Sequence, residues 1–283
     1  MEYLGDQKAV NLTNPLVSIC VPTYQHGAYI SDCLTSILAQ KADFDYEILI
    51  GEDDSKDDTR EICKVFAENY QDRIRLFLRN EEDEIRILGR KAGRLNHLHL
   101  YRDARGKYIC ICDGDDYWSD SQKIQRQFDF MEKCPDCYLC ITDTVIGLHP
   151  NQKPPGIPEG LRVFKKNELK KVFYMGHISS WMMRNEMHEL FKNPIVKKRI
   201  PLDQVLFSFY KSLGDVAFLP IITSYYRYSP NGVYLSQRGK KNYKGLYRSS
   251  WYLFKYIHHD KILFLRAILY HSRRYVSSLL ISK

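Results

Sequence analysis

What the chain lacks narrows its character first. No 18-residue stretch is both apolar and free of charge, so no helix able to span a bilayer is expected. Cysteine is absent after position 140: Cys20, Cys33, Cys63, Cys110, Cys112, Cys134, Cys137 and Cys140 all fall in the first half, several within apolar runs. No secretory leader is read ahead of them, and the simplest expectation is a reducing, cytoplasmic setting. Cys134-Pro135-Asp136-Cys137 has the spacing of half a zinc site, but no second pair or matching His pair follows, so zinc is not expected. Internal repeats and low-complexity tracts are missing too, which excludes a solenoid.

Acid is scarce in the second half. Residues 151–283 hold 24 Lys and Arg against seven Asp and Glu, a net +17, whereas residues 1–150 hold 18 against 27, a net −9. The formal +8 of the 283-residue chain is thus the sum of two opposed halves, and a nucleic-acid partner is not expected. Basicity peaks over 238–283, where eleven Lys and Arg meet one acid, Asp260, among Trp251, Tyr252, Phe254, Tyr256 and Phe264. Such helices suit a peripheral contact with an anionic leaflet, packing on the rest of the chain, or pairing in a homodimer.

Residues 17–145 read as alternating strands and helices. Val17 to Val21 is an apolar, β-branched run that suits a buried parallel strand. Ile30, Leu34, Ile37 and Leu38 then share one helical face. A strand over 46–50 leads to a helix opened by a capping box of Ser55 and Asp58, and a third strand fits 74–78. After a charged loop, a helix over about 92–104 is ended by Gly106, and a fourth strand covers 108–112. Ser119 and Gln122 are expected to cap the next helix. Strands alternating with amphipathic helices predict an α/β fold, a mostly parallel, doubly wound sheet flanked by helices. The proline-rich stretch 147–160 reads as a connector. Beyond it come a strand at 180–183, a helix over 203–213, strands near 216–219 and 225–228, and basic amphipathic helices from Gly245 onward.

The first, second and fourth strands each run straight into polar residues on the same sheet edge: Pro22-Thr23-Tyr24, Glu52-Asp53-Asp54 and Asp113-Gly114-Asp115-Asp116. Six carboxylates on one rim repel and raise one another's pKa unless a cation or donors compensate them. A hard divalent ion bridging to phosphates is one compensator; Asp-rich turns and caps in a solvated loop are the other reading.

Those strand ends, taken in order, resemble the nucleotide-sugar-dependent, inverting glycosyltransferases of family 2, which have the GT-A fold. The resemblance covers 17–145 and is carried by Val17 to Tyr24, by Glu47 to Thr59, and by Gly106-Lys107-Tyr108-Ile109 leading to Asp113-Gly114-Asp115-Asp116-Tyr117-Trp118. It implies that Pro22, Thr23 and Tyr24 line the base and ribose pocket and that Glu52 or Asp53 accepts from a uracil or thymine ring, favouring a UDP- or dTDP-sugar. It further implies that Arg94 and Asn96 face the nucleotide, that Asp113 and Asp115 hold Mn2+ or Mg2+ as a D-x-D pair, and that Gly114 and Asp116 lie against the donor. Glu52-Asp53-Asp54 replaces the Asp-Asp-Gly of many members.

In the second half the resemblance places Trp181, within His177-Ile178-Ser179-Ser180-Trp181, near the donor sugar, and Asp203 as catalytic base at the start of a helix. An N-cap role is the alternative for Asp203. Arg227, followed by Asn231-Gly232-Val233, would close over the donor diphosphate. The expected division is a donor half at 1–146, an acceptor half at 147–235 and a C-terminal helical extension at 236–283. The implied reaction is sugar transfer to a hydroxyl of a glycan or lipid-linked acceptor in surface polysaccharide or lipopolysaccharide synthesis, at the inner face of the cytoplasmic membrane. A sugar-nucleotide nucleotidyltransferase, a glycoside hydrolase and an inactive, membrane-docked homologue are the alternatives. The nucleotidyltransferase would need a Gly-rich, Arg-containing loop that residues 22–27 do not supply.

Overall fold

The computed structural model describes residues 2–3, 14–80, 85–87, 90–147, 158–227 and 243–281. In the first half the elements are β1 (Glu2–Tyr3), β2 (Val17–Thr23), α1 (Ile30–Leu38), β3 (Tyr46–Glu52), α2 (Thr59–Asn69), β4 (Ile74–Leu78), β5 (Ile85–Ile87), β6 (Arg90–Ala92), α3 (Arg94–Asp103), β7 (Tyr108–Ile111), β8 (Tyr117–Trp118), α4 (Lys123–Lys133) and β9 (Cys137–Ile146). The second half supplies β10 (Arg162–Phe164), β11 (Trp181–Arg184), α5 (Met187–Lys192), α6 (Leu202–Leu213), β12 (Asp215–Tyr226), α7 (Tyr243–Tyr256) and α8 (Lys261–Ile281).

One sheet organises these elements, in the order β1-β4-β3-β2-β7-β11-β9-β12-β10, with β8 paired to β12. The pairs β2–β3, β2–β7, β3–β4 and β9–β12 are parallel. Strand β11 is antiparallel to both neighbours, β7 and β9, and joins the two parallel portions. Alternation along each strand feeds two cores. Val17, Ile19 and Val21 of β2 turn to the face covered by Leu34 and Ile37 of α1, Cys63 of α2 and Ile124 of α4, whereas Cys20 turns to the other. That second face is covered by α3, α5 and α6, and Leu253, Ile257 and Phe264 from the C-terminal helices join it.

Several local expectations give way to tertiary contacts. Ser55 does not cap α2: its hydroxyl accepts from Gln25 N and its own N–H donates to Glu52, while Asp57 Oδ1 accepts from Thr59 N. Gln122 is the N-cap residue of α4, as expected, but no side chain caps the helix there; Asp120 Oδ1 accepts from Gln122 N. Gly106 does not end α3, which stops at Asp103 with Ala104 as its C-cap; a glycine stands there because β2 passes so close that a Cβ would sit 2.5 Å from Ser18 N. The charged loop after β4 contains the hairpin β5–β6. The two strands expected near 216–228 are the single, bulged β12. Most of the connector at 147–160 lies outside the described residues, as do Tyr228 and Asn231 to Val233. All eight cysteines are free thiols.

Lys211 of α6 and Asp260, which precedes α8, form an ion pair with both side chains wholly buried. Lys211 also donates to Val172 O. Removing one partner of such a pair strands the other charge, whereas replacing both with apolar groups is often neutral. Lys211→Met is expected to lower the unfolding free energy by about 3–5 kcal/mol in urea titrations, and Lys211→Met with Asp260→Leu to recover most of that loss.

Candidate active site

The in-register parallel ladder delivers the strand ends to one edge. Thr23 pairs with Glu52 across β2–β3, and beyond β7 the amide of Cys112 donates to Cys20 O and that of Gly114 to Pro22 O. Thr23 is buried, with Oγ1 3.2 Å from His26 Nδ1, and Tyr24 beyond it is exposed. Gly114 sits so tightly against this turn that a Cβ would lie 2.5 Å from Thr23 Oγ1, so any larger residue forces the two strand ends apart. The backbone at Gln25 and Asp54 is left-handed, with φ of 57° and 60°, as the chain leaves β2 and β3.

Glu52 and Asp53 differ sharply in use. Glu52 is completely buried; one carboxylate oxygen accepts from Ser55 N at 2.6 Å and the other accepts from Arg60 Nε. Its oxygens brace the turn into α2. Asp53 is also nearly buried, at 6% exposure, and its N–H donates to Thr23 O, tying the end of β3 to that of β2.

Asp113, Asp115 and Asp116 form the middle of the site. Asp113 Oδ1 is shut away from solvent and has no hydrogen-bond partner, although a third of the side chain is exposed. Burial, then the charges of Asp115 and Asp203, push the Asp113 carboxyl up to about 7. Asp116 is wholly buried and its pKa is raised for the same first reason, although its Oδ1 accepts from Arg227 N at 3.0 Å. A histidine stands near each: His97 Nε2 is 3.8 Å from Asp113, His26 Nε2 3.8 Å from Asp115 and His177 Nδ1 3.9 Å from Asp116. Burial drives His97 and His177 down to about 4, so both rings are neutral near pH 7 and soften the carboxylates' repulsion only as dipoles.

Asp203 arrives from the second half, inside the first turn of α6. Pro201, not Asp203, is the N-cap, and the Asp203 carboxylate accepts from Gln204 N at 2.8 Å and from the Tyr174 hydroxyl. Burial raises its pKa, and Arg94 opposes that rise. The influence of Asp203 on Asp113 puts these carboxylates in one electrostatic neighbourhood.

Three residues expected at the donor turn inward. Arg94 is buried and donates to Ile200 O at 2.6 Å and Val196 O at 3.0 Å, clamping the segment that leads into Asp203. Asn96 donates to Gly51 O at 2.6 Å and locks α3 onto β3. Trp181 is wholly buried between Tyr174 and Phe207, because β11 runs through the middle of the sheet. Arg227 lies over the Tyr117 and Tyr29 rings, with its guanidinium 2.6 Å from Asp32 and its backbone N–H on Asp116. Tyr174, His26 and His97 are additions that the sequence reading did not single out, and His177 was quoted there only as a neighbour of Trp181; they come from three separate parts of the chain, the turn after β2, α3 and the segment before β11.

Among the described residues no three His, Cys, Asp or Glu side chains gather into a self-contained metal cage. Two hard oxygen donors and a buried, unpartnered Asp113 Oδ1 nevertheless fit a divalent ion that takes its other ligands from water and substrate phosphates.

An unfolded Asp carboxyl ionises near 3.9, whereas folded Asp113 keeps its proton up to about 7. The stability that this group contributes is full below the unfolded value and is lost as pH rises through the folded one. In the presence of a chelator, Asp113→Asn is expected to melt with the parent protein at about pH 4 and above it at about pH 8, in thermal melts followed by circular dichroism.

The chain matches the family model for glycosyl transferase family 2 over residues 18–191. It is 25% identical over 231 residues to the uncharacterized protein Rv1520 of Mycobacterium tuberculosis, covering 78% of this chain and 61% of that protein. It is 33% identical over 117 residues to TuaG of Bacillus subtilis, a glycosyltransferase whose name assigns it provisionally to teichuronic acid biosynthesis, covering 41% and 42% of the two chains. The chain thus spans about three fifths of the length of the first of these relatives. Its structure resembles Staphylococcus aureus TarS 1–349 in complex with UDP-GlcNAc, with a TM-score of 0.65 and 15% identity over 89% of this chain and 72% of that one. It also resembles the mannosyltransferase PcManGT of Pyrobaculum calidifontis in complex with GDP-Man and Mn2+, with a TM-score of 0.58 and 14% identity over 95% and 76%. A family match across more than half of the chain, on a sheet of the GT-A type, makes this protein a member of glycosyl transferase family 2.

Proposed function

We propose that this protein transfers a sugar, with inversion, from a nucleotide-sugar donor to a hydroxyl of a glycan or lipid-linked acceptor in the synthesis of a surface polysaccharide. The observation that carries the reading is the meeting of Asp203, from the second half, with the Asp113-Gly114-Asp115 turn of the first, close enough for their charges to act on one another. The complexes of TarS with UDP-GlcNAc and of PcManGT with GDP-Man support a nucleotide-sugar donor, and the name of TuaG supports a polysaccharide setting.

Thr23, Tyr24 and Asp53 line the base and ribose side, with the Asp53 carboxylate accepting from an imide N–H, which favours a uracil or thymine nucleotide. Glu52 supports that turn from behind through Arg60. Asp113 and Asp115 are the residues that would hold a divalent ion, Mn2+ or Mg2+, whose charge would offset that of the departing nucleoside diphosphate. Arg227, at the mouth beside Asp116, adds a cation on the same side.

Asp203 takes the proton from the acceptor hydroxyl as that oxygen attacks the anomeric carbon from the face opposite the leaving group. Burial raises the basicity of its carboxylate, which suits proton abstraction near neutral pH. Tyr174 orients that carboxylate and Arg94 fixes the chain segment ahead of it.

Thermal shifts with a panel of nucleoside diphosphates and Mn2+ test donor binding, and release of nucleoside diphosphate measures transfer. Asp203→Asn is expected to keep the donor-induced shift and lose transfer at least about a hundredfold. Asp115→Asn is expected to lose the Mn2+-dependent part of the shift. Normal transfer by Asp203→Asn overturns the assignment of the base. For Arg94→Met the expected result is a fall in transfer of about ten- to a hundredfold with the shift retained, because the base is displaced while the nucleotide pocket is intact.

A further inference from the structure

The outward face of the C-terminal helices carries no acid. Residues 243–281 contain seven Lys and Arg and one acidic residue, Asp260, and Asp260 is buried against Lys211. The surface presented by α7 and α8 is therefore purely cationic. It is also apolar to a degree that packing does not explain. Phe264 and Ile268 turn α8 inward onto the protein, yet Ile262, Leu265, Leu269, Tyr270 and Val276 stand exposed on its other side. Ile262, Leu265, Leu269 and Val276 fall at i, i+3, i+7 and i+14, one helical face with Tyr270 beside it, and Arg266, Arg273 and Arg274 lie exposed among them. On α7 the same outward spacing places Tyr247 and Trp251 beside Lys244, Arg248 and Lys255.

We infer that this face of α7 and α8 docks on the surface of an anionic lipid bilayer. An uncovered apolar stripe calls for a partner, and the arginines interleaved with it select one of negative charge. A second copy of this chain would bring like charges together across the same face, which opposes self-pairing. No helix among the described residues is long and apolar enough to cross a membrane, so the contact lies in the plane of the headgroups, with the rings of Tyr247 and Trp251 at that level. Docking also reaches the site: Arg248 of α7 donates to Arg199 O at 2.9 Å, four residues before Asp203, and Asn193 donates to Tyr256 O at 3.1 Å. The docking helix and the segment carrying Asp203 are therefore mechanically joined.

Tryptophan fluorescence tests the inference on the full chain. Trp118 and Trp181 are buried and Trp251 is 46% exposed, so a blue shift on adding vesicles reports Trp251. Phosphatidylcholine vesicles containing phosphatidylglycerol are expected to shift the emission and to carry the protein upward in flotation; pure phosphatidylcholine vesicles are expected to do neither. Reversing three exposed charges, in Arg266→Glu with Arg273→Glu and Arg274→Glu, is expected to lower the vesicle partition coefficient about a hundredfold. Leu265→Ser with Leu269→Ser is expected to abolish the blue shift, with unchanged melting temperatures showing that both variants fold. Three results overturn the inference: no flotation with anionic vesicles, equal flotation of the parent protein and both variants, or a concentration-dependent dimer that Leu269→Ser dissolves while flotation is unaffected.

Discussion

Mutual repulsion among Asp113, Asp115, Asp116 and Asp203 is the constraint around which the rest of this structure is arranged. Solvent is partly excluded there, and beyond burial itself the charges of Asp115 and Asp203 make ionisation of Asp113 more costly, as those of Asp115 and Asp113 do for Asp116. The fold answers without spending buried cations on them directly. Asp116 receives the Arg227 amide, Asp203 receives the Tyr174 hydroxyl and the Gln204 amide, and the neutral rings of His97 and His177 lie 3.8 and 3.9 Å from Asp113 and Asp116. Asp113 Oδ1 and Asp116 Oδ2 are both closed off without a hydrogen-bond partner, and Asp113, a third of whose side chain is exposed, is the one of the two that solvent and a bound cation can reach.

Cations instead hold the two halves of the chain together. Arg94, from the first half, grips the carbonyls of Val196 and Ile200; Arg227, from the second, reaches Asp32 on α1. Lys211 joins α6 to the turn before α8 through Asp260, and Arg248 ties α7 to Arg199 O. Each of these contacts bears on the segment or helix that presents Asp203, or on the mouth beside Asp116. The basic residues of the second half thus serve in more than one way: Lys211 is a buried brace, Arg162, Lys165 and Lys192 pair with acids at the surface, and those of α7 and α8 populate an outer face that has no acid to oppose it.

The strand-end clusters were legible because a parallel sheet aligns the ends of its strands, so apolar runs ending in Pro22-Thr23-Tyr24, Glu52-Asp53 and Asp113-Gly114-Asp115-Asp116 had to share an edge. Helical faces such as that of Ile30, Leu34 and Ile37 were equally plain. What could not be read was the direction in which a polar side chain turns. Glu52 and Asp53 are adjacent and both acidic, yet Arg60 and Ser55 take Glu52 inward; Arg94 and Asn96 look like ligand-facing residues on an exposed helix until the 195–200 segment and Gly51 are seen to pack against them. Ser55 fits a local capping rule, but Gln25 N, distant in sequence, donates to its hydroxyl instead.

The sequence by itself determined the family, the α/β order, the acidic edge and the late concentration of basic charge, because periodicity and strand-end chemistry are local properties that the chain carries wherever it folds. Only the tertiary structure decided that β11 runs antiparallel through the sheet and buries Trp181, that Tyr174 and three histidines join the acidic rim, and that Asp260 is withdrawn from the surface by Lys211. Those outcomes depend on contacts between residues far apart in the chain, whose energy is set by burial and partner geometry rather than by any neighbouring residue.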